Sequence, residues 1–286
     1  MRKLFISTAL FLLTSVVAIA AENQARTIIN KSLTAVNASK GCVYTMRGYE
    51  RIKGKSTLFY TEITTKVNLN PWSIYGKVST KPHEGTELLF VKGQRGDKVR
   101  VNPGKFLPTV TLAPTNSLLT GDQHHTILSS GFGLYARIIG NALKRADAEN
   151  KFDEVFKYEG DVTFDGKSCY KITIIDPTYD ITNATAKAGE NLYTFSQRVL
   201  VPEYSITELN PVVKSFETDL SGKTLKIPSA YAKKSVLYID KATMFPLFQE
   251  MADDKGVFER YEYYNLKVNP TFKANEFTED FEGYNF

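Results

Sequence analysis

His124 and His125 are the residues in this chain best suited to chemistry, and their setting argues against most of it. Adjacent residues on an extended backbone point to opposite faces, so two neighbouring imidazoles rarely serve one metal. No H-E-x-x-H or H-x-D spacing accompanies them, and His83 is the only other histidine. Asp122 offers a carboxylate that could orient one ring. The simpler expectation is one imidazole buried and hydrogen-bonded near a helix start, with the other facing solvent. Cys42 and Cys169 are the two cysteines. Without a C-x-x-C pair they do not suggest redox catalysis. They could form a disulfide, worth about 4–5 kcal/mol for so long a loop, or remain two buried thiols. Gly131-Phe132-Gly133 lacks the spacing of a dinucleotide loop. Asp253-Asp254 reads as a hairpin turn, and "TKPHEGTE" as a turn rather than a metal loop. No G-x-S-x-G occurs. The expectation is a protein that is not an enzyme and uses no cofactor.

The elements that must carry any site come next. Arg2 and Lys3 precede an apolar run from Leu4 to Ala21 that ends in small residues. This is the pattern of a cleaved signal peptide over residues 1–21. No cysteine lies at the cleavage point for lipid attachment, and no later run is long enough to span a membrane. A periplasmic or secreted protein follows. The formal charge is +5, two units of it in the leader, too mild for a nucleic-acid partner. Residues 40–110 are basic and residues 240–286 acidic. The two segments are either sheet neighbours that neutralise each other or a basic face for an anionic lipid or polymer. Eighteen Phe and sixteen Tyr can bury a sizeable core.

Ala25, Ile28, Ile29, Ser32, Leu33 and Val36 form one helical stripe over residues 22–39, and Gly41 ends it. From Val43 to Pro103 the chain reads as strands. In "PWSIYGKVS", Trp72, Ile74, Gly76 and Val78 share one face, while Ser73, Tyr75 and Lys77 share a more polar one. Residues 104–126 read as a long ordered loop. Ser129 and Ser130 are placed to cap a helix reaching Asp147, with Leu134, Ile138, Ile139, Ala142 and Leu143 buried. Strands follow around Asp165-Gly166, and three more run from Ser235 to Val268.

Between these strands, residues 186–228 read as two short helices. "AKAGENLYTF", Asn210-Pro211 and "LSGKTLKIP" resemble the LysM module, a peptidoglycan- and chitin-binding unit. Gly189-Glu190-Asn191-Leu192 stands where the family has Gly-Asp-Thr-Leu. The resemblance implies a β-α-α-β unit over residues 184–232, with residues 184–188 and 223–227 paired so that entrance and exit adjoin. It implies a groove for N-acetylglucosamine glycan lined by Gly189, Glu190, Asn191, Leu192, Asn210, Pro211, Ile227 and Pro228.

The flanking segments, residues 22–183 and 233–286, resemble the periplasmic lipoprotein-carrier (LolA/LolB-like) superfamily. The resemblance rests on "SVLYIDKATMFPLFQEMADDKGVFERYEYYNLKVNP". "GTELLFVKGQRGDKVRVNPG" and "DQHHTILSSGFG" resemble an uncharacterised bacterial family placed there. This implies an α+β fold: a long curved antiparallel sheet, an incomplete barrel, with helices on the concave face and the small β-α-α-β domain inserted. It also implies an apolar groove lined by Trp72, Ile74, Val78, Leu134 and Ile138, for a lipid, a lipoprotein or a protein partner. Plain core is the competing account of those side chains. The functional expectation is a non-catalytic cell-envelope binding protein. The alternatives are a cell-wall enzyme targeted by the LysM-like unit, and an interaction protein with neither ligand.

Overall fold

The computed structural model describes residues 24–104, 107–121 and 123–286. The expected signal peptide and Asp122 lie outside them. Helix α1 covers residues 24–37, and its stripe is buried as its spacing predicts, with Ile29 fully enclosed. Ser32, the polar member of that stripe, shares a 2.8 Å hydrogen bond with Tyr135, so its burial leaves no unpaired hydroxyl.

Strands β1 (Gly41–Arg51), β2 (Leu58–Leu69), β3 (Trp72–Val78), β4 (Glu87–Val91), β5 (Val99–Asn102) and β6 (Val110–Leu112) form a meander. The loop expected after residue 104 thus holds a three-residue edge strand, followed by the one-turn helix α2 (Ser117–Thr120). Helix α3 runs from Gly133 to Ala148. Ser129 and Ser130 do not cap it. Ser129 ends a short 3₁₀ turn at residues 127–129 that Thr126 caps, Ser130 follows it, and Phe132 precedes α3 without a side-chain cap. Gly131 makes the bend between them at φ +88°, a conformation that favours glycine.

Helix α4 (Phe152–Val155) leads into β7 (Phe156–Phe164) and β8 (Lys167–Ile175). After the inserted unit come β11 (Lys234–Asp240), β12 (Pro246–Asp253) and β13 (Gly256–Val268). Among the described residues these make one 11-stranded sheet, ordered β6-β5-β4-β3-β2-β1-β13-β12-β11-β8-β7. Every neighbouring pair is antiparallel and the ends do not meet. The class is α+β, an open antiparallel sheet with helices packed against it. Helices α1 and α3 lie on one face, over a core that includes Ile74, Phe90, Ile139 and Phe245.

The other face of β3 was predicted to be the more polar one. The C-terminal tail covers it instead: Tyr75 stacks on Tyr284 at 3.7 Å, with Phe277 and Phe286 alongside. Acidic tail residues meet basic strands there, through Lys66–Glu276 (2.7 Å) and Arg100–Glu279 (2.9 Å). Cys42 on β1 and Cys169 on β8 are buried and free. Three strands separate theirs, too far for a bridge. Burial pushes the Cys42 thiol up to about 12.

The inserted unit consists of β9 (Ile181–Thr185), α5 (Leu192–Val199), α6 (Glu203–Leu209) and β10 (Thr224–Pro228). Strands β9 and β10 pair from Thr185↔Thr224 to Ile181↔Pro228, so the first strand lies three residues before the predicted span. Residues 186–190 have already begun the turn towards α5. Leu192, Phe195, Ile206 and Leu220 fill a separate small core. The host strands on either side pair directly, Ile175 opposite Lys234. The whole unit therefore stands where a β8–β11 hairpin turn would be, which a unit with adjoining ends permits.

Candidate functional site

The register of β1 against β13 places Met46 opposite Tyr263, Gly48 opposite Tyr261, and Glu50 opposite Glu259. Period-two alternation turns Tyr44, Met46 and Glu50 to the helix-bearing face. A bulge between β12 and β13 at Met251/Ala252 interrupts the ladder just before Glu259, a device that re-aims side chains. Residues 117–121 and 123–138 pass over this face without filling it. They leave a chamber of about 440 Å³, lined from below by β1, β2, β12 and β13. Its rim includes exposed Lys81, His83 and Leu118.

One end of the chamber is apolar. Val78, Leu134 and Ile138 line it beside Met46 and Ile63. Of the five residues assigned to a groove from sequence, the other two do not line it. Ile74 is fully buried in the core, and Trp72 packs edge-on against Phe90 at 5.5 Å.

The opposite end is polar. Like charges directly opposite on a sheet repel, and burial makes an uncompensated pair costlier. Glu50 and Glu259 are nevertheless 6% and 1% exposed. The two histidines supply the compensation. The His124 backbone N–H donates to Glu50 Oε2 (3.0 Å), and its Nδ1 lies 3.2 Å from Glu259 Oε2. His124 Nε2 meets the Arg51 carbonyl at 2.8 Å. Both ring partners can only accept, so both ring nitrogens carry protons and the ring is cationic. His125 Nε2 is 3.3 Å from Glu259 and 3.1 Å from the Tyr231 hydroxyl, while Nδ1 lies 3.4 Å from Glu203. Tyr231 donates to Glu259 (2.7 Å) and Tyr261 to Glu50 (2.5 Å).

Burial and pairing act on these groups in opposite directions. Burial raises the Glu259 carboxyl, but hydrogen bonds from His124 and His125 outweigh it and hold it at about 2. Burial would lower both imidazoles. Glu50 and Glu259 raise His124 despite this, and Glu203 and Glu259 raise His125 well above its ordinary value. The expectation that one histidine faces solvent is corrected: residues 124–125 form a bend rather than an extended strand, so both rings turn to Glu259. Among the described residues, no group of three His, Cys, Asp or Glu is arranged to hold a metal.

Two more members come from the inserted unit. Glu203 and Tyr204, at the start of α6, are 2% and 9% exposed. Tyr204 stacks on His124 at 4.3 Å. The sequence reading missed Glu50, Glu203, Glu259, Tyr231 and Tyr261. For the two strand glutamates a signal was present: each is an acid in the inward phase of an otherwise apolar alternation.

The residues assigned to a glycan groove have varied roles. Leu192 is fully buried, and Ile227 and Pro228 are buried on β10, paired with Thr182 and Ile181 of β9. Asn191 caps α5, accepting from Thr194 N at 2.9 Å. Glu190 is held by Arg198 at 2.5 and 2.7 Å. Asn210 is tied to both backbone groups of Lys226. Gly189 and Pro211 are exposed, with Val212 beside Pro211 72% exposed. The Gly189 loop lies against Asp219 and Ser221.

The fold is an open antiparallel sheet with a chamber under its helices. The family model described as "Protein of unknown function (DUF1571)" matches residues 40–200, more than half of the chain, and the chain belongs to that family. No curated protein matches it. Among solved structures it is similar to the lipoprotein LppX of Mycobacterium tuberculosis, with 14% identity, a TM-score of 0.41, and coverage of 88% of this chain and 98% of that one. It is similar to a LolA superfamily protein from Nitrosomonas europaea, with 10% identity, a TM-score of 0.32, and coverage of 90% and 98%. It is also similar to a chain of the MucA/MucB complex of Pseudomonas aeruginosa, with 9% identity, a TM-score of 0.41, and coverage of 89% and 60%. No helix among the described residues is long and apolar enough to cross a membrane.

Proposed function

We propose that this chain is a non-catalytic cell-envelope binding protein. Its host domain (residues 22–183 and 233–286) holds a lipid, or the acyl part of a lipoprotein, in the chamber. Its inserted unit (residues 184–232) docks on N-acetylglucosamine glycan of peptidoglycan. The chamber of about 440 Å³ carries the first part. Protein interiors are packed tightly enough that few voids exceed a water molecule, yet this one falls within the ~300–1,000 Å³ range of small-molecule sites. Burying each methylene against its apolar walls is worth about 0.8 kcal/mol. At the polar end both imidazoles lie against buried carboxyl groups of the protein itself, which supports a structural role for them in a binding site. For the second part, the support is the β-α-α-β order and the exposed Gly189, Pro211 and Val212.

Organic extraction of the purified full-length chain, followed by mass spectrometry, tests the host reading. The expected result is release of an aliphatic compound in near-stoichiometric amount. A chain that releases none, and then takes up no aliphatic ligand added in solution, removes it.

A further inference from the structure

We infer that the chamber's polar end is a head-group subsite, accepting a ligand head that donates hydrogen bonds and carries no negative charge, with Glu50 as the principal acceptor. This rests on the reading of the chamber as a binding site and adds the chemical class of what enters it.

The inference follows from a donor and acceptor inventory. All but one of the donors of the cluster's rings and hydroxyls are committed to groups within it; the exception is His125 Nδ1, which makes no hydrogen bond and lies 3.4 Å from Glu203. Tyr261 gives its proton to Glu50, Tyr231 gives its proton to Glu259, and His124 spends both ring protons on Glu259 and the Arg51 carbonyl. His125 Nε2 is hydrogen-bonded to the Tyr231 hydroxyl and lies 3.3 Å from Glu259. The Arg51 guanidinium is paired with Asp253. What remains unfilled is acceptor capacity. Each carboxylate can accept about four hydrogen bonds. Glu50 receives two, from Tyr261 and from the His124 backbone, and it lines the chamber. Gln123 and Gln249 also line it, but an amide offers a donor or an acceptor equally. The surroundings point the same way. Three described carboxyl groups, Glu50, Glu203 and Glu259, lie around the two imidazole rings. A carboxylate or phosphate head would find acceptors where it needs donors. An alcohol or an amine would complete the set. An anionic head has another place to stay, because Lys81 lies at the rim. A ligand inserted tail first would leave its head there.

The test is calorimetric titration of the delipidated full-length chain with dodecan-1-ol, dodecylamine and dodecanoate, each kept below its aggregation limit near neutral pH. The expected result is that the alcohol and the amine bind at least about tenfold more tightly than dodecanoate. Equal affinities, or dodecanoate binding most tightly, overturn the head-group assignment and leave the apolar-ligand reading standing. Binding of none of the three removes both. The Glu50→Gln variant adds a second measurement. Its amide oxygen still accepts from Tyr261, so the chain should fold, with amine affinity reduced about tenfold and dodecanoate affinity unchanged or increased. An Glu50→Gln variant that binds the amine as wild type does overturns the role of Glu50, and if that variant does not fold, the wild-type series decides.

Discussion

Glu259 ties two imidazolium rings to one buried carboxylate, which makes the cluster sensitive to pH from both sides. Its carboxyl lies near 2 instead of the ordinary 4.5. The stabilisation it contributes is complete above about pH 4.5 and drains away as pH falls towards 2. His125 is raised well above 6.5. Its contribution is complete below 6.5 and is lost as pH climbs through that elevated value. Thermal midpoints measured against pH should therefore show a plateau from mild acid to neutrality with a fall on each side. In Glu259→Gln the imidazoles lose their shared partner. Breaking a buried pair in this way costs about 3–5 kcal/mol, and the alkaline fall should move to lower pH. A variant whose profile runs parallel to wild type would show that Glu259 does not hold these protons. The histidine pair was visible in the sequence, but its partners were not. Glu50, Glu203 and Glu259 come from segments as much as 209 residues apart, and nothing local to "DQHHT" records which carboxylates fold onto it.

Helices α1 and α3 were legible because each buries a stripe with a 3.6-residue period, and the strands were legible from their alternation. What those periods omit is how one element is fixed to the next. Ser32 on α1 and Tyr135 on α3 are that fixing point: one buried hydrogen bond of 2.8 Å joins two helices that lie side by side on the sheet. Tyr135 also lines the chamber, so the joint sets where the roof sits. Ser32→Ala leaves the Tyr135 hydroxyl buried without a partner, and the expected cost is about 1–3 kcal/mol in denaturant unfolding. Tyr135→Phe added to Ser32→Ala should recover part of that loss, because no polar atom is then stranded. If the double variant is as unstable as the sum of the two singles, the helices are not coupled through this bond. The mispredicted start of α3 has a related cause. Ser129 and Ser130 have the composition of a cap, but Thr126 takes the capping role one turn earlier, and Gly131 redirects the chain before the helix begins.

At the scale of the molecule, the insertion and the chamber share a wall. The order of the unit's elements could be read from residues 186–228, and so could the meeting of its ends. That α6 leans back onto the host could not, because Glu203 and Tyr204 have the local character of an ordinary first helical turn. They back His124 and His125 from outside the chamber, while Tyr231, at the unit's exit, lines its polar end. Further ties are Arg137 to Gln197 (2.6 Å) and Lys255 to Glu208 (2.9 Å). Replacing residues 177–232 by an Asn-Gly turn separates the two roles. Strands β8 and β11 already pair at Ile175 and Lys234, and Asn-Gly suits a two-residue hairpin, so the sheet should still form and unfold cooperatively. The shortened chain should be less stable than wild type, because it also lacks Glu203, Tyr204 and Tyr231 from around the histidines. The full chain should sediment with insoluble peptidoglycan and the shortened chain should stay in solution. Equal sedimentation of the two would take glycan docking away from the inserted unit. Failure of the full chain to sediment would leave the unit as a structural wall of the chamber alone.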